Sequence, residues 1–147
     1  MLEAGVTVGI GTDGAASNND LDPFDELRDA AMIGKLGADD AAAVAAPDVV
    51  RAATDGGAEL LGFDAGRIEV GALADFAVID LEKPHLTPAH DLVSHLAYAV
   101  RGSDVEHTVV GGEVVVRNRT VQTLDENRVR AEADRHADAL ISRAEAD

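Results

Sequence analysis

The residues best placed to do chemistry lie in the stretch GIGTDGAASNN, residues 9–19, which follows the alternating apolar run Val6, Val8, Ile10. A strand of that pattern ending in Gly-Thr-Asp-Gly puts Asp13 just beyond its C-terminal end, where barrel enzymes keep their reacting groups. A carboxylate there can ligate a divalent metal and accept a proton from a water bound to it. The small neighbours Gly11, Thr12 and Gly14 leave room for a close approach to the backbone. Asp-Gly is also a common turn pair, so spacing alone leaves a turn-former and a working carboxylate both open. The five histidines offer no second motif. His85, His90 and His95 recur every five residues, about 140° apart on a helix, and there is no His-x-His or His-Glu-x-x-His. These three, with His107 and His136, read as structural or surface residues. Arg101-Gly102 reads as a turn before it reads as an anion site. Gly9-x-Gly11 with Gly14 is not followed at once by a helix start, which argues against a dinucleotide cradle.

The elements that must position Asp13 follow from the punctuation of the chain. Val6–Ile10 predicts a strand, apolar enough to need neighbours on both sides, with residues 2–5 as the end of a preceding helix or turn. Asp22-Pro23 predicts a helix start with Asp22 as cap, running to about Leu36 and stopping at Gly37. A second helix is expected from Pro47, interrupted at Gly56-Gly57 and ending at Gly62. Residues 66–71 are turn-rich and lead into a strand at 76–80. Residues 84–91 form a loop, and 91–100 a helix. Residues 105–116 read as a hairpin around Gly111-Gly112. Thr123-x-x-Glu126 predicts a capping box for a last helix whose apolar face is Val129, Ala133, Ala137, Leu140 and Ala144.

Composition sets the limits. The chain has 147 residues, too few for a whole (β/α)8 barrel, which takes about 250. Twenty-eight acidic residues against twelve basic ones give a net charge of −16, and only two of the basic residues are lysines, Lys35 and Lys83. That excludes the cationic footprint of a nucleic-acid binder. The acids are dispersed rather than gathered in a tail, a pattern suited to high salt, where screening makes self-repulsion tolerable. Cysteine is absent, so neither disulfides nor thiolate metal sites form. No apolar run reaches membrane-spanning length and no signal peptide opens the chain, so a soluble, cytoplasmic protein without membrane partners is expected.

Taken in order, GTDGAASNNDLDPFDELR, VVRAATDGGAELLG and GRIEVGALADFAVIDLEKPHLTPAHDLVSHLAYAVRGSDVEHTVVGGEVV resemble the C-terminal portion of an amidohydrolase-superfamily deaminase. The subgroup resembled is the 5-methylthioadenosine/S-adenosylhomocysteine deaminases, with triazine chlorohydrolases and guanine deaminases as relatives. The resemblance implies an α/β fold: the C-terminal fragment of a metal-dependent hydrolase (β/α)8 TIM barrel, part of a small composite β-sandwich, and a C-terminal helix. Residues 1–62 would then be the last strand and helices of the barrel. Residues 63–124 would be the sandwich portion, with a loop and helix inserted near 84–100, and 125–147 the helix.

It also implies that Asp13 matches the strand-8 aspartate, a ligand of the catalytic metal (zinc, in some members iron) and base for the hydrolytic water. Ser17 matches a residue near the substrate, while Asn18 and Asn19 are expected to hold the loop. The implied reaction is release of ammonia from an adenosine-type substrate. Dechlorination, guanine or cytosine deamination, and a non-catalytic fragment remain as alternatives. The family's metal histidines and its proton-shuttling glutamate precede the aspartate and have no counterpart here. The chain therefore reads as a truncated product or a mis-started frame, inactive alone and prone to self-association. The full-length enzyme would be a homo-oligomer.

Overall fold

The computed structural model describes residues 4–145, so residues 2 and 3 of the helix end expected at 2–5 lie outside the described residues. The order of elements is α1 (Pro23–Ala38), α2 (Ala46–Ala53), α3 (Asp55–Leu61), β1 (Phe76–Ile79), α4 (Leu92–Tyr98), β2 (Val105–Val110), β3 (Glu113–Arg117), β4 (Thr120–Val121) and α5 (Glu126–Ala144).

Residues 6–10 are extended but not a strand of any sheet, contrary to the sequence expectation. A strand exists by pairing. Among the described residues no chain lies alongside this one, and its single backbone bond runs from Ile10 N–H to the Ala52 carbonyl at 3.2 Å. What holds the segment is the helix pair behind it. A Cβ on Gly56 would stand 2.5 Å from the Val8 carbonyl oxygen, and one on Gly9 would stand 2.9 Å from Leu60 Cδ1. The glycines of residues 56–57 therefore lie inside α3 as a contact surface and do not break the helix. The break comes at Thr54 instead, whose hydroxyl donates to the Val50 carbonyl at 2.7 Å and competes with the helical ladder. Gly56→Ala is expected to destabilise the chain by about 1–2 kcal/mol through this overpacking, measured as a lower midpoint of thermal unfolding.

The start of α1 is as expected: Pro23 opens it and the Asp22 carboxylate accepts from Phe24 N–H at 3.0 Å. Its end is two residues later than expected. The helix runs through Gly37 and closes at Asp39, a left-handed residue with φ of 51° whose N–H returns to the Leu36 and Lys35 carbonyls. Aspartate tolerates that conformation, so glycine is not required for it. α5 is capped by Asp125, whose carboxylate accepts from Arg128 N–H at 3.0 Å, so Thr123 is not its cap. Being adjacent to the first helical residue, Asp125 reaches the third N–H, which Thr123 does not.

Two packing units follow. Leu27 and Ala31 of α1, Ala46 and Val49 of α2, and Ala97 of α4 form the buried cluster, with Ile10, Val44 and Tyr98 against it. α4 thus packs on α1 and α2, with Leu86 and Val100 fully buried beside it in the chain. The other unit is an antiparallel sheet in the order β1-β2-β3-β4, with Phe76 opposite Val109 and Val78 opposite His107. Its β2–β3 hairpin turns at Gly111 and Gly112, both with positive φ (58° and 82°), as a two-residue turn between twisted strands requires. The alternation that makes these strands also leaves Phe76 and Val78 uncovered. Met32, Ile33 and Leu36 of α1 and Val129, Leu140 and Ile141 of α5 are exposed as well. α5 has no buried residue, so its apolar stripe faces solvent.

Candidate active site

Asp13 follows the segment 6–10 and opens a tight turn, so the turn-forming reading of Asp-Gly holds while its side chain is left outside the turn. Its φ of 58° turns the chain, and the Ser17 and Asn18 N–H groups then both donate to the Gly14 carbonyl at 3.0 Å. The side chain stays outside that turn and is exposed. Its Oδ2 accepts from Ser17 Oγ at 2.7 Å. The Ser17 hydroxyl, and after it the Gly14 N–H, hold the Asp13 carboxyl below the usual carboxylate range.

Around it lies an open cavity of about 560 Å³, lined by Asp13, Ser17 and Asn18 and by the carboxylates of Asp20, Asp25, Glu26 and Asp29. No lysine or arginine lines it. Such a mouth attracts cations and repels anions. Asn18 donates through Nδ2 to Glu26 Oε1 and accepts from Asp20 N–H at 3.4 Å, so it holds the loop, the role its type suggested. Glu26 was missed in the sequence. It lies on the first turn of α1, and nothing in its spacing from Asn18 marks it as the anchor of that loop. Ser17→Ala is expected to move the Asp13 carboxyl titration up toward the ordinary range, read by carbon-13 NMR of the carboxyl group.

The histidines lie elsewhere. His85 Nε2 is 2.9 Å from Asp104 Oδ2, His95 Nδ1 is 2.9 Å from the Asp91 carbonyl oxygen, and His107 Nδ1 accepts from Asn118 N–H at 3.1 Å. His136 lies 3.9 Å from Glu132 on α5. Arg101 and Gly102 offer their N–H groups to carboxylates of the chain itself, Asp104 at 3.0 Å and Asp22 at 2.8 Å.

A catalytic zinc takes three or more protein ligands. Among the described residues, no three His, Asp or Glu side chains could hold an ion together. Asp13 suits such an ion as one ligand of a set, and the rest of that set is not among residues 4–145. No step through a metal follows from these residues alone.

The amidohydrolase family pattern matches residues 1–115, from ahead of the extended segment to the middle of β3. The chain belongs to the amidohydrolase family. It is 77% identical over all 147 residues to a 5-methylthioadenosine/S-adenosylhomocysteine deaminase of Natronomonas pharaonis, and covers 34% of that protein. It is 45% identical over 97% of its length to a 5'-deoxyadenosine deaminase of Methanosarcina mazei, covering 33% of it. Among solved structures, a zinc-bound adenosine deaminase from Xanthomonas campestris superposes with a TM-score of 0.92 at 39% identity, over 96% of this chain and 33% of that one. A zinc complex of atrazine chlorohydrolase from Arthrobacter aurescens gives 0.76 at 32%, over 89% and 30%. The chain therefore spans about a third of the length of the relatives it matches. A further relative of this amidohydrolase chain, 72% identical over 98% of it, is the deaminase of the same name from Haloarcula marismortui, of which it covers 33%. No helix among the described residues is long and apolar enough to cross a membrane.

Proposed function

We propose that residues 1–147 are the C-terminal third of a zinc-dependent deaminase of adenosine-type nucleosides, with 5-methylthioadenosine and S-adenosylhomocysteine as substrates. The observation that carries this reading is the 77% identity to a deaminase of that name along the whole chain. The geometry agrees with it: Asp13 is exposed, held by Ser17 through Oδ2, and lines an open, acid-rich cavity that draws cations. In the reaction water adds to the amino-bearing ring carbon, the C–N bond breaks, and ammonia leaves a ring carbonyl behind. Asp13 takes the proton from the attacking water and passes it to the departing nitrogen. Zinc, when bound, supplies the positive charge that makes that water acidic at neutral pH. Ser17 holds the carboxylate in orientation, and Asn18 with Glu26 holds the loop that carries Ser17.

In this reading residues 1–62 are the final strand and helices of the barrel, and residues 63–124 belong to a smaller β domain. The whole enzyme is cytoplasmic and oligomeric. The 147-residue chain alone does not deaminate, because one carboxylate does not retain the ion.

The test is to express this chain joined to the remaining two thirds of the Natronomonas relative. The joined protein is expected to bind about one zinc per chain and to release ammonia from 5-methylthioadenosine, while the 147-residue chain does neither. Ammonia release by the chain alone, or none from the joined protein on either substrate, would overturn the proposal. Chloride release from a chlorotriazine in place of ammonia would assign the dechlorinating chemistry instead.

A further inference from the structure

The loop that carries Asp13, Ser17 and Asn18 is fastened at its far end by a contact between residues 80 positions apart. Asp22 uses its two oxygens differently. Oδ1 accepts from Phe24 N–H at 3.0 Å and caps α1, while Oδ2 accepts from Gly102 N–H at 2.8 Å. Six residues further on, the Arg28 guanidinium donates to the Tyr98 carbonyl at 3.2 Å through Nε and to the Val100 carbonyl at 3.1 Å through Nη2. It also pairs with Asp25. The segment 98–102 thus offers main-chain carbonyls to the Arg28 cation and a main-chain N–H to the Asp22 anion, both on the flank of α1. Gly102 is the residue that permits this approach, since a Cβ there would lie 3.1 Å from Asp22 Oδ2.

The residue just before the clamp explains why it matters. Leu21 has φ of 57°, a left-handed conformation that a branched side chain adopts only when its surroundings impose it. On one side of Leu21, Asp22 N–H is held by Asp20 Oδ1 at 3.1 Å; on the other, Asp22 is held by Gly102. Upstream, the loop is anchored where Ile10 bonds to Ala52.

We infer that Asp22 is a positioning residue for the Asp13 site: by binding the Gly102 N–H it fixes the downstream end of the loop that orients Asp13 and Ser17. This rests on the deaminase reading for its functional part, and its structural part stands without it. Serine at position 22 separates the two jobs, because its single oxygen can still cap α1 but does not also reach Gly102.

In the 147-residue chain, Asp22→Ser is expected to speed amide hydrogen exchange of residues 12–20 about tenfold, the effect of losing one charge-assisted hydrogen bond. Exchange in the interior of α1, at Leu27 and Ala31, stays unchanged. Gly102→Ala, which presses on the Asp22 carboxylate from the other side, is expected to give the same pattern, and Arg101→Ala to change nothing. In the joined protein, Asp22→Ser lowers kcat about tenfold, with KM unchanged within about twofold and zinc content retained. Exchange that rises equally throughout α1 would mean Asp22 is only a cap. An unchanged kcat in an active joined protein would overturn the positioning role. A joined protein with no activity before any substitution would sink the deaminase reading, and the exchange pattern would still decide the clamp.

Discussion

Asp13→Asn in the joined protein is expected to lower the rate of ammonia release by about a thousandfold, within the range for loss of a general base. The substitution keeps the size and shape of the side chain. Asparagine also tolerates the left-handed backbone that position 13 adopts, with φ of 58°. Its amide oxygen can go on accepting from the Ser17 hydroxyl, which now engages Oδ2 at 2.7 Å. What disappears is the negative charge and the capacity to take a proton. The thermal midpoint of the metal-free protein is therefore expected to stay in place while rate and bound zinc both fall. A structural role for Asp13 predicts the reverse pattern: a lower midpoint with activity in proportion to the folded fraction. Ser17→Ala gives the graded comparison. It leaves the carboxylate in place and removes the hydroxyl that orients it and holds its titration low, so the rate falls about tenfold, as for loss of a single hydrogen bond. Equal losses for the two variants would mean that the loop, and not the carboxylate, limits the reaction.

How much of this was legible in the sequence depends on how far away the deciding partner lies. Asp22-Pro23 named the start of α1 because cap and first turn are neighbours. Gly111-Gly112 named the hairpin because two positive φ angles in succession call for two glycines. The position of Asp13 after an apolar run was legible for the same reason. The end of α1 was not, because Asp39 takes the left-handed position expected of Gly37. Gly56 and Gly57 were read as a break because a helix disfavours glycine. The Val8 carbonyl beside Gly56, more than 45 residues earlier, is the reason for that glycine, and Gly57 lies against Gly9; no local pattern shows either. The segment 6–10 has the composition of a central strand and no neighbour among the described residues to make it one. At the candidate site, residue type and position pointed to Asp13, and the family resemblance to Ser17. The second oxygen of Asp22, the grip of Arg28 on two carbonyls and the anchoring by Glu26 are tertiary facts, and each of these side chains would pass for an ordinary helix-start or helix-face residue.

His85→Ala is expected to cost the chain about 2 kcal/mol of unfolding free energy at neutral pH, less than a fully buried pair because His85 is partly exposed. Its partner carries the argument. Asp104 is only 3% exposed and accepts from His85 Nε2 at 2.9 Å and Arg101 N–H at 3.0 Å. Burial pushes the Asp104 carboxyl up; the His85 hydrogen bond, the Arg101 N–H and the nearby charges of His85 and Lys83 together outweigh it, so the net direction is down. A carboxyl held low in the folded chain contributes stability above its unfolded pKa of about 3.9 and loses it as pH falls through the folded value. Without His85, burial acts against only the Arg101 N–H and the charge of Lys83, the carboxyl rises, and the contribution from His85 is gone. The gap between the two proteins is therefore widest at neutral pH and narrows as pH falls, from the raised value at which Asp104 takes up its proton in the variant down to the lowered one at which it does so in the parent. Denaturant unfolding at pH 7 and pH 3.5 reads this directly, and a gap of equal size at both would rule out the carboxylate as its source. Salt separates the pair from the rest of the surface. Exposed bridges such as Arg67 with Glu69 are screened in concentrated salt, whereas a carboxylate as buried as Asp104 is not, so the gap at neutral pH persists there. For a chain with sixteen excess negative charges, stability at high ionic strength then rests on the few polar contacts that solvent ions do not reach, and this one joins the turn at residues 84–86 to the start of β2.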